Sequence, residues 1–512
     1  MILEGWILVA MVLIPFIGGI VSWWSERWSL TLPRWISMAS MTTVFLMGCW
    51  LWLTLDFSRP AANGLPAWAL EFRVPWIPRF GVSLHLGLDG LSLLMVLLTG
   101  LLGVMAVACS WREIQRYVGF FHLMLLWNLS GVIGVFLALD LLLFFFFWEV
   151  MLVPMYFLIA LWGHRGAGGR GRIYAATKFF IFTQASGLLM LLAILALAFV
   201  HHGNTGVWTF GYMDLLQAEY GQTAGYLLML GFFIAFVVKL PAVPFHPWLP
   251  DAHSQAPTAG SVDLAGVLLK TGAYGLLRFA IPLFPEASAH FAPVAMWLGV
   301  IGIIYGAVLA YAQTDIKRLV AYTSVSHMGF VLVGAYAGNE QALQGVVMQM
   351  LAHGVSTGAL FILCGEVYER IHTRELGQMG GLWQRVPQLA AVALFFAIAS
   401  LGLPGLGNFV GEILVLIGSF RVDQAAAIVA ASGLILAAAY ALLIVQRAFH
   451  GTPRETEPLE DLTKREFLLL MVLVVILVWL GLYPQPVFEV SEAPMRYIGS
   501  MLQQGAAAGV LP

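Results

Sequence analysis

Charge is scarce in this sequence. Only 10% of its 512 residues are Asp, Glu, Lys or Arg, where soluble domains carry about 25%, and that excludes a water-soluble globular chain. No long basic block is present and the formal net charge is -2, so nothing points to nucleic acid or to a polybasic lipid patch. Cysteine is nearly absent: Cys49, Cys109 and Cys364 stand alone in apolar stretches. Without a CxxC or CxxxxC spacing, neither an iron–sulfur cluster nor a disulfide framework is expected. No GxGxxG or P-loop lysine motif occurs, so nucleotide cofactors are expected on other chains.

Apolar residues make up 60% of the chain, in runs that repeatedly exceed the roughly 20 residues needed to cross a ~30 Å hydrocarbon core. Continuous runs, not alternating ten-residue ones, predict helices. The run from Met1 to Ser22 has no basic n-region and no small-residue cleavage site, so it reads as a first span and not as a signal peptide. The fold expected is an all-α polytopic membrane protein of about fourteen spans, near 2–21, 32–55, 84–108, 117–138, 140–162, 173–199, 224–249, 259–282, 292–312, 319–337, 341–367, 388–419, 423–449 and 466–483. An even number puts both termini on one side. Loops after odd-numbered spans hold sixteen Lys and Arg, among them Arg27, Arg34, Arg165, Arg170, Lys317, Arg374 and Arg454, and the other side, Arg278 included, holds six. With Lys178, Lys239 and Lys270 inside spans, this accounts for all 25. The positive side is expected to be cytoplasmic, with both termini facing away.

Two spans are interrupted. The seventh contains LPAVPFHPWLP (Leu240 to Pro250), whose prolines remove donors and clash with the preceding turn, and the twelfth contains GLPGLGNF (Gly402 to Phe409). Each is fourth in a block of five spans, four to eight and nine to thirteen, and the second block begins on the opposite side. That predicts two inverted five-helix repeats with the site near the broken helices. The divisions expected are 1–116 for the first three spans, 117–283 and 284–450 for the repeats, and 451–512 for a loop, the last span and a C-terminal tail.

Several charges fall where charge is expensive. Glu149 lies about nine residues, roughly 14 Å, into its helix. Lys239 immediately precedes the break at Pro241. Lys270 follows Asp263 by seven residues, two turns along one face, and Glu412 opens the second half of the broken twelfth span. A charge at the bilayer centre costs at least ~2.5–3.5 kcal/mol, so such groups face a protein interior and often mark an ion path. The bland alternatives are helix-locking ion pairs and snorkelling, the latter favoured for Lys178. His246, His253, His327 and His353 add groups that titrate near neutrality, with His353 in VVMQMLAHGVSTGALFIL the best relay candidate. Zinc on His246 and His253 is not expected, since no further ligand stands at a recognisable spacing.

The stretch LPAVPFHPWLPDAHSQAPTAGSVDLAGVLLKTGAYGLLR (Leu240 to Arg278) resembles the proton-conducting membrane subunits of respiratory complex I and their relatives, the Mrp-type sodium/proton antiporters. LDGLSLLMVLLT (Leu88 to Thr99), FFFFWEVMLVPMYFLI (Phe144 to Ile159) and TDIKRLVAYTSVSHMGF (Thr314 to Phe330) agree. The resemblance covers nearly the whole chain. It implies fourteen helices with an inverted repeat, Glu149 and Lys239 as a switching pair, Lys270 as central relay, Glu412 as the release group, and His327 and His353 supporting hydration and relay. Asp263 and His246 join them as candidates. Most sister subunits have lysine at the twelfth-span site, and Glu412 there resembles the M-type (chain 4) branch; the chain also stops soon after span fourteen, without the amphipathic tail of the L-type branch.

The implied role is a non-redox, proton-translocating subunit of NADH:quinone oxidoreductase in a bacterial inner membrane. No cofactor is expected on this chain, with flavin, iron–sulfur clusters and quinone on partner subunits. The implied partners are other membrane subunits, including antiporter-like sisters. The competing readings are a subunit of an Mrp-type or membrane-bound hydrogenase-type complex and, from another class, a non-pumping membrane scaffold.

Overall fold

The computed structural model describes residues 2–59, 65–164, 171–452 and 458–508; Arg165, Arg170 and Arg454 lie outside them. Among the described residues, thirteen helices are long and apolar enough to cross a membrane, and two shorter apolar ones, Pro387–Ser400 and Gly407–Phe420, occupy the expected twelfth span. In chain order the principal helices are α1 Ile2–Ser25, α2 Leu32–Thr54, α3 Gly90–Glu113, α4 Val118–Leu137, α5 Leu141–Val150, α6 Leu152–Trp162, α7 Arg172–Thr205 and α8 Gln222–Lys239. There follow α9 Trp248–Gln255, α10 Thr258–Leu283, α11 Pro285–Tyr311, α12 Ile316–Ala337 and α13 Glu340–Ile371. The last are α14 Pro387–Ser400, α15 Gly407–Phe420, α16 Gln424–Phe449, α17 Lys464–Leu482 and α18 Gln485–Ala508.

Short polar residues start these helices because their oxygens satisfy the first backbone donors, which have no intrahelical partner. Asp89 and Ser92 form a capping box on α3, Asp140 caps α5, Asp315 caps α12 and Asn339 caps α13. Both prolonged breaks fall where expected. The seventh crossing stops at Lys239 and resumes at Trp248, and the twelfth stops at Ser400 and resumes at Gly407.

Several boundaries differ from the expected ones. Residues from 84 do not open the third span: Val82–Leu88 is a strand, β2, paired antiparallel with β1 at Leu70–Ile77, and the helix starts behind Asp89. An apolar strand beneath the cap reads like the beginning of a helix. The fifth crossing is jogged at Met151, two residues past Glu149. Within α10, Leu264–Leu268 and Leu276–Ala280 are wound as π-helix. The expected tail is the amphipathic helix α18, with Val487, Val490, Met495, Ile498 and Leu502 buried.

α10 and α13 are buried along their whole spanning stretches, whereas α2 and α17 are buried over a third or less. The former two are therefore the central posts of the molecule, and the latter two present apolar side chains outward as a lipid-facing rim requires. α18 lies across the ends of α3, α11 and α13 at very close range. A Cβ on Gly90 would fall 1.7 Å from the Val490 carbonyl oxygen, and one on Gly505 2.2 Å from that of Pro285.

Candidate functional site

The central posts carry the site. Lys270 on α10 is fully buried, and its Nζ donates to the Ala265 carbonyl at 2.5 Å and to Nδ1 of His353 on α13 at 2.7 Å. Ala265 lies in the first π-helical stretch, a winding in which backbone bonds run to i+5 and the local ladder is disturbed. An ammonium has only donors, so Nδ1 of His353 accepts and its imidazole proton is assigned to Nε2. That Nε2 is buried without a protein partner. The ring of His353 meets that of His327 on α12, centroids 5.5 Å apart.

His327 is held at both nitrogens. Nδ1 lies 3.0 Å from Glu412 Oε1 on α15, and Nε2 lies 3.2 Å from both Ser400 Oγ and Tyr440 OH. Gln349 of α13 donates from Nε2 to the same Glu412 oxygen at 3.3 Å, while Glu412 Oε2 is buried with no partner. Lys270, His353, His327 and Glu412 thus form one buried file from the middle of α10 to the start of the second half of the broken twelfth crossing. Each is at most 2% exposed.

The other candidates are placed differently. Nζ of Lys239, at the end of α8, is buried without a hydrogen-bond partner among the described residues, 5.1 Å from the ring centre of Trp148 and 5.5 Å from that of Phe179. Glu149 makes no ion pair with it within 4 Å, although the two are near enough for their charges to interact. Asp263 does not face Lys270: its carboxylate accepts from Asn128 Nδ2 on α4. His246, in the break, lies against Tyr305 and Tyr322, and His253 stacks on Phe361 at 4.4 Å. Among the described residues, no group of three His, Cys, Asp or Glu is placed to hold a metal ion.

Lys178 does not snorkel. It donates to Asp251 at 2.6 Å, and Arg318 binds the other carboxylate oxygen at 2.6 Å. Near these, Lys317 donates to the Ala256 carbonyl at 2.9 Å, Arg374 donates to the Ser254 carbonyl, and Glu113 accepts from the Thr258 amide at 3.1 Å. Cations on the last carbonyls of α9 and an anion at the first amide of α10 complement the helix ends. At the opposite end of α10, Arg278 is not a loop residue; it is buried and ion-paired with Asp89.

Asn128, Gln349, Ser400 and Tyr440 were not singled out from sequence. The signal available for Asn128 and Gln349 was an amide inside an apolar span. Ser400 and Tyr440 offered none, because hydroxyls in spans commonly bond to their own helix.

Residues 138–437 match the model of the family described as NADH:quinone oxidoreductase/Mrp antiporter, TM. The chain is 62% identical over 507 residues to NADH-quinone oxidoreductase subunit M of Pseudomonas aeruginosa, with 99% of each covered. It is 60% identical over 491 residues to that of Escherichia coli, covering 95% of this chain and 96% of the relative. Among solved structures it resembles a chain of respiratory complex I from Thermus thermophilus with bound NADH, at TM-score 0.84 and 33% identity, covering 97% of this chain and 99% of that one. It shares its fold with a chain of the Mrp complex from Dietzia, at TM-score 0.83 and 22% identity, covering 98% and 100%.

Proposed function

Since the chain belongs to the NADH:quinone oxidoreductase/Mrp antiporter membrane family, we propose that it is the M-type subunit of an NADH-quinone oxidoreductase and moves protons across the membrane without carrying electrons. The observation that carries this reading is the buried file Lys270–His353–His327–Glu412. Ionisable groups in such a position are costly, and four in contact or near contact supply what a proton relay needs. Lys270 hands a proton to His353 Nδ1 along the 2.7 Å contact. A proton leaving His353 Nε2 has the His327 ring as its neighbour, and His327 Nδ1 delivers to Glu412. Ser400, Tyr440 and Gln349 fix the orientation of the last two groups.

Glu149 and Lys239 act as the switching pair in this reading. When the carboxylate approaches, the lysine is stabilised as an ammonium; when it withdraws, the lysine is freer to give up its proton. Asp263, held by Asn128, and His246, against Tyr305 and Tyr322, support the transfer from outside the contacts of the file. Spans four to eight and nine to thirteen, residues 117–283 and 284–450, form the two inverted halves, flanked by 1–116 and 451–512. Both termini face away from the cytoplasm of a bacterial inner membrane, and flavin, iron–sulfur clusters and quinone belong to partner subunits. Glu412 and 60% identity to M subunits favour this reading over an antiporter subunit.

The test is Glu149→Gln in the native operon, with NADH-driven quinone reduction and proton uptake measured in inside-out vesicles after assembly of the complex is checked. Both activities should fall together. Unchanged activities in an assembled complex would move the antiporter and scaffold readings ahead.

A further inference from the structure

Among the described residues, Lys239 is a buried cation whose Nζ has no hydrogen-bond partner. Its surroundings are nevertheless built for a cation. The ammonium lies 5.1 Å from the centre of the Trp148 ring and 5.5 Å from that of Phe179, within the ~6 Å at which a ring face attracts a positive charge. Both rings are themselves fixed. Trp148 packs on Phe144 and Phe236. Phe179 packs on Trp248, whose Nε1 donates at 2.9 Å to the carbonyl of Val238, the residue before the lysine. Gly187 of α7 lets the neighbouring carboxylate lie close, since a Cβ there would be 2.9 Å from Glu149 Oε1 and 3.5 Å from Trp148 Nε1.

We propose that Trp148 and Phe179 are positioning residues for Lys239, forming an aromatic seat that holds the ammonium while Glu149 is not bonded to it. The lysine then has two alternative resting places, the ring faces and the carboxylate. The seat keeps the cation in place during the interval when its anion is away, so the two rings set how strongly Lys239 depends on Glu149. This deepens the reading of Glu149 and Lys239 as a switching pair and rests on it.

Fluorinated tryptophans of increasing substitution, placed at position 148 alone in the intact complex, remove electron density from the ring with little change of shape. NADH-driven pumping should decline stepwise along the series, by about three- to thirtyfold in all for a desolvated cation–π contact. The temperature at which the complex dissociates should fall along the same series, and stay level when the series is repeated in a Lys239→Gln background, which a packing role alone would not produce. Equal falls in both backgrounds, or a flat pumping series while Lys239→Gln by itself abolishes pumping, would overturn the aromatic seat and leave the switching pair standing. Normal pumping by Lys239→Gln would remove the switching pair, and the seat with it.

Discussion

The glycines of the second break allow the contact at Glu412 to be tested separately from backbone strain. Gly402 and Gly405 both have positive φ, 79° and 95°, where an L side chain costs about 1–2 kcal/mol. Their surroundings differ. A Cβ on Gly405 would meet only Leu482 Cδ2 at 3.8 Å, an ordinary contact, whereas one on Gly402 would lie 2.5 Å from Glu412 Oε2. To reach an ordinary 3.4 Å separation the carboxylate has to shift by about 0.9 Å, which disturbs the 3.0 Å contact of its other oxygen with His327. A hydrogen bond to a charged group is worth ~1.5–3 kcal/mol, or roughly ten- to a hundredfold in population. Gly405→Ala should therefore assemble and pump at a moderately reduced rate. Gly402→Ala should assemble and lose a further ten- to a hundredfold of proton pumping in inside-out vesicles. Equal losses in the two variants would show that the Glu412 contact is not what the glycine protects.

Asp89→Asn strands the buried Arg278 without its anion, a change that typically costs about 3–5 kcal/mol; blue-native gels should show little assembled complex, and Asp89→Asn with Arg278→Met should recover part of it. Asp251→Asn leaves Lys178 and Arg318 facing one another without the carboxylate between them, and quinone-reductase activity should fall severalfold and partly return at high salt, where like charges are screened. In the hairpin outside the spans, His85 hydrogen-bonds Glu71 at 2.5 Å and holds its carboxyl below the ordinary glutamate range. A lowered folded-state value means stability that is present above the unfolded value and lost as pH falls through the folded one. The protection of the Leu70–Leu88 amides, taken relative to their intrinsic exchange rates at each pH, should accordingly fall only in acid, and loss of protection on the alkaline side would refute the assignment.

Much of the architecture was legible because a bilayer permits so little. Apolar runs of sufficient length have to be helices, Pro241, Pro244 and Pro247 have to break one, and a lysine or glutamate in such a run has to turn inward. Lys270 and Glu412 are legible on that ground, and His327 and His353 as side chains in apolar spans that ordinarily titrate near neutrality. Pairing across the sequence was not legible. Regular α-helical spacing puts Asp263 on one face with Lys270, yet Leu264–Leu268 between them is π-helical and Asn128, 135 positions away, takes the carboxylate. Lys178 near a span end looked free to reach water, but Asp251 folds back from the break to meet it. The strand Val82–Leu88 and the π-helical turns of α10 escaped for another reason. Residue composition says that a segment is apolar and leaves open whether it pairs with a strand or widens by one residue in a turn.

The two ends of the bundle are fastened by different physics. At the end where α3 and α11 begin, α18 is seated on bare backbone through Gly90 and Gly505, a bond of shape to which the buried Arg278–Asp89 pair and the Arg496–Glu340 pair at 3.4 Å are added. At the other, the segment joining α9 to α10 is held by Lys178, Arg318, Lys317, Arg374 and Glu113, a bond of charge that a shifted proton or a neighbour's cation can loosen.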